Sequence, residues 1–556
     1  MNHMWYNYEG CIPLSIVDAI REVCLQKPLK ASEIDIHSSS KVDKNIRSSQ
    51  TAFLAQNEHS KIYELFTDFA HKSNNAAFGF DINNIEPTNP PDEGSLERLN
   101  AGNEVGDISK DLFPGGVDIP YLPGEQKRMF ELTKESISQG ATSIYEASFI
   151  FDDIFVRVDL MNKTEKGWDI YEVKSSTRIR SYHEYDASIQ WHVLKELKMF
   201  EINDVFIVTL NNEFSRKKII DPIRFFNIDS VLDVVQSNHQ EVKQKIIELK
   251  SIAASSEEPS IDIGPHCKKP HGCVYMDKCW PNNMNDINSV FRFYRMNLKK
   301  KISLYNQGID TFEKVNDIDS LTLTQKNQME AFRKAAPIIK KQEIKKFTDK
   351  IIYPISFFDF ETFTDAVPLY DGQRPHMQMP FQYSLHVQND ENQALDIDDN
   401  HFEFIADPNE DPRRAIAESM VQKLPKKGSI MAYNESFEKS CIKSLAEYCP
   451  DLAGELLAFN ERFVDLIEPF RGGGYYDSEF RGSFSIKKVL PAICSSNKEL
   501  DYKKLEISNG GLASSSYKGL RNKSNEDAQK TLEDLYQYCR LDTYAMYAIY
   551  QKIIQI

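Results

Sequence analysis

The run Tyr353–Phe360 (YPISFFDF) leads straight into Asp359-Phe360-Glu361-Thr362. Its aromatic and β-branched residues predict a strand. Side chains alternate faces along a strand, so Asp359 and Glu361 point the same way. Two carboxylates side by side repel each other, and the arrangement is costly unless a cation neutralises it. Hard divalent cations take such oxygen ligands. Any fold for this chain must therefore hold two acids at one point. Far along the chain, Tyr538-Cys539-Arg540-Leu541-Asp542 lies in a strongly helical stretch. Tyr538 and Asp542 are four residues apart and share one helix face.

An Asp-x-Glu at a strand end is common on its own. Here it stands with Tyr433-Asn434-Glu435-Ser436-Phe437-Glu438 and with Tyr538…Asp542. Together these motifs resemble the DEDD exonucleases of the RNase H-like (DnaQ-like) superfamily, in the variant with a tyrosine four residues before the last aspartate. The resemblance implies that Asp359, Glu361 and Asp542 hold two Mg²⁺ or Mn²⁺ ions, with Glu438 as the fourth acid. It implies that Tyr538 orients the attacking water. The second motif usually ends in Asp. Here it ends in Glu438, one methylene longer, and Asp465 is the alternative fourth acid.

A second acid set precedes this one. Asp159 lies near the end of an expected strand, Ile154–Leu160, and the next strand, Trp168–Val173, leads into Glu172-Val173-Lys174. Glu172 and Lys174 share a strand face. Two carboxylates would bind a metal, and the ammonium beside them would stabilise phosphate charge. This is the PD-(D/E)XK pattern. With Asn103-Glu104-Val105-Gly106, Leu112-Phe113-Pro114-Gly115-Gly116, Tyr182-His183, Asp186 and Gln190, it resembles the RecB-family nucleases. Within them it is similar to a bacterial group that fuses a RecB-like domain to a DEDD-type domain. CRISPR-adaptation nucleases are similar to the RecB-like half alone. The resemblance covers roughly residues 100–556. It implies catalytic roles for Asp159, Glu172, Lys174 and Gln190. The family has a metal-binding His before the Glu of its first helix; this chain has Asn103, and Glu104 is the candidate substitute ligand.

Cys267, Cys273 and Cys279 have C-x5-C-x5-C spacing, and thiolates suit zinc or an iron–sulfur cluster. In the resembled nucleases, three such cysteines join an N-terminal one around a [4Fe–4S] cluster. That role falls here to Cys24 rather than Cys11. The alternative is Zn²⁺ held with His271 or His266. The nine cysteines are an odd number, which speaks against a disulfide framework.

The fold class expected is α/β. Residues 1–98 form a partly helical N-terminal segment, with helices at Ile16–Leu25 and Gln56–Ala70 and a Pro- and Asn-rich linker over residues 83–95. A RecB-like PD-(D/E)XK nuclease domain spans 99–281. It has helices at Asn100–Leu112, Gln126–Gln139 and Asp186–Phe200, and strands at Ile144–Phe151, Ile154–Leu160, Trp168–Val173 and Asp204–Leu210. A helical connector without strand pattern covers 282–350. An RNase H-like DEDD exonuclease domain follows over 351–556, with a further strand at Gln382–Val387 and a closing helix at Glu526–Ile553.

The net charge is −16, which argues against coating nucleic acid by bulk electrostatics. Binding would use local basic groups. Candidates are Lys487 and Lys488 (phosphate), Arg471 before the glycine-rich stretch Gly472–Tyr476 (base stacking by its tyrosines), Lys340–Phe347 and Arg178–Arg180. The last two also read as an ordinary solvated helix face and a loop. No apolar run approaches the ~18 residues of a membrane span, and the N-terminus lacks a secretory pattern, so the expected place is the cytoplasm. The expected activity is metal-dependent hydrolysis of DNA, single-stranded or end-bearing, by a 3′–5′ exonuclease site and a second RecB-like site. RNA suits a DEDD site equally. The contrasting expectation is a pair of degenerate nuclease folds that bind nucleic acid or dock partners in a repair or phage-defence complex.

Overall fold

Three runs rich in β-branched and aromatic residues give three adjacent strands, β2 (Ser143–Phe151), β3 (Ile154–Lys163) and β4 (Trp168–Val173). They belong to one of two units seen in the computed structural model of the chain. The structure describes residues 93–255, 260–269, 272–273, 276–495 and 500–556. The helices expected at Ile16–Leu25 and Gln56–Ala70 lie outside these residues, as do Cys11, Cys24 and His271. The first unit contains the described residues up to Trp280 together with Asp365–His376. The second contains Pro281–Thr364 and Met377–Ile556, so the residues expected to form a connector lie within it.

The first unit is built on a six-stranded mixed sheet, with strands in chain order from β1 (Val117–Asp118) through β5 (Ile202–Leu210) to β6 (Phe226–Ser230). On one face Met161, Ile170 and Ile207 pack with Met129, Ile189, Val193 and Val235. These come from helices α2 (Gln126–Ser138), α3 (Ser181–Leu197) and α4 (Leu232–Ala253). On the other face Tyr145, Leu160, Tyr171 and Val208 pack with Val105 of α1 (Glu93–Ser109) and with Ala366 and Val367. Helix α1 starts inside the stretch expected to be a linker. It gives way to a 3₁₀ turn, Lys110–Leu112, before Pro114. Gly116 is needed there, because a Cβ would stand 2.5 Å from the Tyr145 ring. Helix α3 begins five residues earlier than the expected Asp186, where His183 Nδ1 accepts the Arg180 amide at 3.2 Å. It stops at Lys198, which is left-handed with φ +52°.

The second unit opens with short helices, among them α5 (Leu298–Asn306) and α6 (Leu323–Lys334), around Val290, Phe293, Phe312 and Met329. This stretch was expected to lack strands, but β7 (Ile338–Ile339) precedes α7 (Lys341–Thr348). The main sheet has five strands in the order β10-β9-β8-β11-β12. They are β8 (Ile355–Phe363), β9 (Met379–Gln388), β10 (His401–Ile405), β11 (Ser429–Ala432) and β12 (Phe463–Asp465). Strand β8 is central, antiparallel to β9 and parallel to β11. It starts after Pro354, which has no amide to donate, and runs three residues beyond the expected end. Phe358 and Phe360 face the core shared with α8 (Pro412–Lys423), α9 (Ser436–Tyr448) and α10 (Ala453–Asn460). The opposite face carries Phe357, Asp359, Glu361 and Phe363. It is covered by α12 (Gly510–Gly519) and α13 (Asn525–Ile554), with α11 (Ile486–Ile493) alongside. Among the described residues, no helix is long and apolar enough to cross a membrane.

Candidate functional site

The centre of β8 carries the acid pair inside the strand rather than at its end. Asp359 stands opposite Ser384 and Glu361 opposite Gln382, and the register shifts just after Glu361. Helix α13 is fixed over these strands by Thr543, whose hydroxyl lies 2.7 Å from Ser384 Oγ and 2.8 Å from His386 Nδ1. Gln382 Nε2 also donates to the Leu535 carbonyl at 2.9 Å. One and two helix turns beyond Leu535, Tyr538 and Asp542 are buried on the covered face. Glu438 enters from the first turn of α9 and is buried. The local sequence Tyr433-Asn434 turns the chain there, with Asn434 at φ +78°.

The electrostatics show what these acids share. Burial, then Asp542, Glu361 and Glu438, drive the Asp359 carboxyl well above its usual range, against a lowering by Lys487. Burial and Asp542 do the same to Glu361. Glu438 is pushed up to about 8 by burial and by Asp465 and Glu435. Asp542 is pushed up to about 6 by burial, held back by hydrogen bonds from Tyr502 and Tyr538 and by Lys487. Tyr502 donates to Asp542 Oδ1 at 2.5 Å. Lys487 Nζ donates to the Ser508 carbonyl at 2.5 Å and sits over the rings of Tyr502 and Tyr538 at 5.2 and 5.3 Å. The start of α12 lies against Glu361, since a Cβ on Gly510 would stand 3.4 Å from its Oε2. Glu438 Oε2 is buried and accepts no hydrogen bond.

This donor set fits divalent metal. It is made of oxygens, it repels itself in a buried place, and one of its oxygens has no partner. Cys539 Sγ lies within 4.8 Å of oxygens of Asp359 and Glu361. Burial and those carboxylates hold its thiol far above the usual range, so it stays protonated. Asp465, the alternative fourth acid, is occupied otherwise. Its Oδ1 accepts the amides of Asn434 at 2.8 Å and Ile467 at 3.1 Å.

In the first unit, β3 and β4 pair Leu160 with Tyr171, which sets Asp159 beside Glu172 one step further. Asp159 Oδ2 accepts the Val173 amide at 2.7 Å. Glu172 accepts from Gln190 Nε2 at 2.5 Å and pairs with Lys174 Nζ at 2.8 Å. The same ammonium pairs with Asp186 at 2.7 Å. Burial works to lower the pKa of Lys174, but Asp186 and Glu172 outweigh it and hold the ammonium charged. The structure thus joins Asp159, Glu172, Lys174, Gln190 and Asp186. Glu104 is exposed on α1, as is Asn103.

Cys267 is buried, Cys273 partly so, and Cys279 is exposed. The Cys273 amide donates to the Cys267 carbonyl at 2.8 Å. His266 is buried beside Cys267, and neither of its ring nitrogens makes a hydrogen bond.

Of the basic groups, Lys487 belongs to the acid cluster, whereas its neighbour Lys488 is exposed. Arg471 is exposed and donates to Asn434 Oδ1 at 3.3 Å. The tyrosines after it do not form a stacking loop. Tyr475 and Tyr476 form strand β13, pair with β7, and bury their rings against Phe480. On α7 Lys345 and Lys346 pair with Asp349 and Glu343, as on an ordinary solvated face. Sequence reasoning gave no role to Asp186 and missed Tyr502. The first was within a motif already noted; the second has no local signature.

Residues 356–485 match the family model described as Domain of unknown function (DUF2779). The chain is 28% identical over 217 residues to "Uncharacterized protein MG366 homolog" of Mycoplasma pneumoniae, covering 37% of this chain and 32% of that protein. It is 26% identical over 263 residues to "Uncharacterized protein UU173" of Ureaplasma parvum, covering 44% of this chain and 36% of that protein. The chain thus spans about a third of the length of these relatives. No solved structure matches it.

Proposed function

We propose that the chain is a divalent-metal-dependent nuclease whose principal site is the acid cluster of the second unit. The single observation that carries this reading is the convergence of Asp359, Glu361, Glu438 and Asp542 in a buried place, where burial raises all four carboxyls and the other acids of the cluster add to this at Asp359 and Glu361. The strand order with β8 at its centre supports an RNase H-like DEDD assignment. Asp359, Glu361, Asp542 and Glu438 would hold Mg²⁺ or Mn²⁺. When bound, such ions lower the pKa of water and stabilise the attacking and leaving oxygens of an in-line displacement.

The chain's own groups do the rest. Burial and the nearby acids keep the Tyr538 hydroxyl protonated, so it can hold the attacking water by hydrogen bond. Tyr502 holds Asp542 in place through its own hydroxyl. Lys487 offers positive charge to the phosphate. The water oxygen bonds to phosphorus, the bond to the 3′ oxygen of the preceding sugar breaks, and that oxygen takes a proton.

The group around Glu172 is the second nuclease site on this reading, of PD-(D/E)XK type. Two observations favour a binding or docking role there instead. Asn103 stands where the resembled family has histidine, and the Asp159 carboxylate is engaged by a backbone amide. Cys267, Cys273 and Cys279 would hold a structural [4Fe–4S] cluster with Cys24, or Zn²⁺ with His266; the unpartnered imidazole supports the zinc form. Iron content and visible absorption separate the two, and a folded protein with neither metal overturns both.

The activity test uses 5′- and 3′-labelled single- and double-stranded DNA and RNA with Mn²⁺. Wild type should shorten strands from the 3′ end. Asp359→Ala should reduce this on the order of a thousand-fold, and Tyr538→Phe about a hundred-fold with KM little changed. Glu172→Ala should leave the ladder and remove any other cleavage. Degradation that survives Asp359→Ala unchanged would sink the assignment.

A further inference from the structure

Helices α3 and α4 of the first unit bring together three ligating side chains that the nuclease reading does not use. His192 and Glu196 lie four residues apart on α3 and so share one face. His239 comes from α4, 47 residues after His192 in the chain. His239 Nε2 stands 3.1 Å from His192 Nδ1 and 3.5 Å from Glu196 Oε1. All three ligand atoms lie within 4.8 Å of one another.

These spacings match a metal's demands. Two ligands each about 2.0–2.1 Å from a tetrahedral zinc ion lie about 3.3–3.4 Å apart. The separations of 3.1 and 3.5 Å bracket that value, and the third lies within 4.8 Å, so the backbone already holds the ligands close to the spacing an ion needs. The rings are also held in place. Trp191 packs edge-on against His239 at 5.0 Å, and Phe151 packs edge-on against His192 at 6.3 Å. His192 is buried, whereas His239 and Glu196 are partly exposed, which leaves a path for an ion and for a solvent ligand.

We propose that His192, Glu196 and His239 form a transition-metal site of zinc type that cross-links α3 to α4, with water completing the tetrahedron. Two imidazoles and one carboxylate are a borderline-soft set. They select Zn²⁺ and its neighbours over Mg²⁺, the opposite of the all-oxygen cluster in the second unit. The site is separate in chemistry from the cysteine cluster, whose ligands are thiolates. In the metal-free molecule the two imidazoles are already hydrogen-bonded across the helices, so the helices keep their contact and the ion would strengthen it.

The test is metal stoichiometry on the full chain. Protein dialysed against chelator is titrated with Zn²⁺ and, separately, Co²⁺. Wild type is compared with the double variant His192→Ala/His239→Ala, with Glu196→Gln, and with Cys267→Ser. The double variant should bind one equivalent of Zn²⁺ fewer than wild type, and Glu196→Gln should bind that equivalent at least ten-fold more weakly. Cys267→Ser should retain it. Bound Co²⁺ at this site should show weak visible bands without thiolate charge transfer, and those bands should vanish in the double variant. Zn²⁺ should raise the unfolding temperature of wild type and of Cys267→Ser. Glu196→Gln removes only a charge from a partly exposed side chain, so it keeps the test valid if the double variant misfolds. Equal zinc stoichiometry and affinity in wild type and Glu196→Gln would overturn the proposal, whatever the nuclease assay shows.

Discussion

The two acid clusters solve the same electrostatic problem in opposite ways. Around Glu172 the chain supplies its own cation: Lys174 bridges Glu172 and Asp186 at 2.8 and 2.7 Å, and all three are buried. Around Asp359 four carboxylates meet, and Lys487, which lowers Asp359, Glu361 and Asp542 alike, is outweighed by burial at all three and by neighbouring carboxylates at Asp359 and Glu361. The first cluster's negative charge is partly offset from within. The second is a charge imbalance built into the centre of a sheet. Only protons or added cations relieve it. On the proposed reading, a divalent metal would relieve more repulsion in the second site than in the first.

Removing each lysine separates the two cases most sharply. Lys174→Met should destabilise the first unit by about 3–5 kcal/mol, because it leaves two buried carboxylates without their partner. Lys487→Met should cost far less stability, since its Nζ is held by the Ser508 carbonyl and acts on the acids through charge rather than through direct ion pairs. Urea denaturation of both variants measures this. Equal losses would erase the distinction drawn between the clusters.

A smaller effect follows from pH. In the metal-free protein Asp359, Glu361, Glu438 and Asp542 titrate above their unfolded values, so the folded state holds more protons than the unfolded one. Stability from this source is greatest below about pH 4, the ordinary carboxylate range. It is lost as pH rises through about 6 for Asp542 and about 8 for Glu438. The unfolding temperature of the second unit should therefore fall by several degrees between mildly acidic and alkaline pH. Mn²⁺ should restore it most at the alkaline end, where protons no longer compete. An unfolding temperature that is flat or rising with pH would contradict the sign.

Much of this was legible in the sequence, for identifiable reasons. Asp359 and Glu361 share a strand face, and Tyr538 and Asp542 a helix face, because those relations are local and periodic. Strand β4 and the closing helix α13 lie within a residue of where their patterns put them. Long-range relations were not legible. Nothing near Tyr502 signals that it will reach Asp542, 40 residues on. His239 meets His192 only because α3 and α4 pack together. The glycine-rich stretch before Tyr475 suggested an exposed aromatic loop. Its partner strand is a two-residue segment, Ile338–Ile339, too short to show any pattern, and that pairing buries the rings. Capping also moved boundaries: His183 starts α3 early, through a side chain that no hydrophobic period records.

The most direct test of the central claim is a count of bound Mn²⁺ by electron paramagnetic resonance at neutral pH, on wild type, Asp359→Ala and Glu172→Ala. Wild type should bind Mn²⁺ tightly, Asp359→Ala should lose that binding, and Glu172→Ala should retain it. Tight binding that disappears with Glu172 and persists without Asp359 would contradict it.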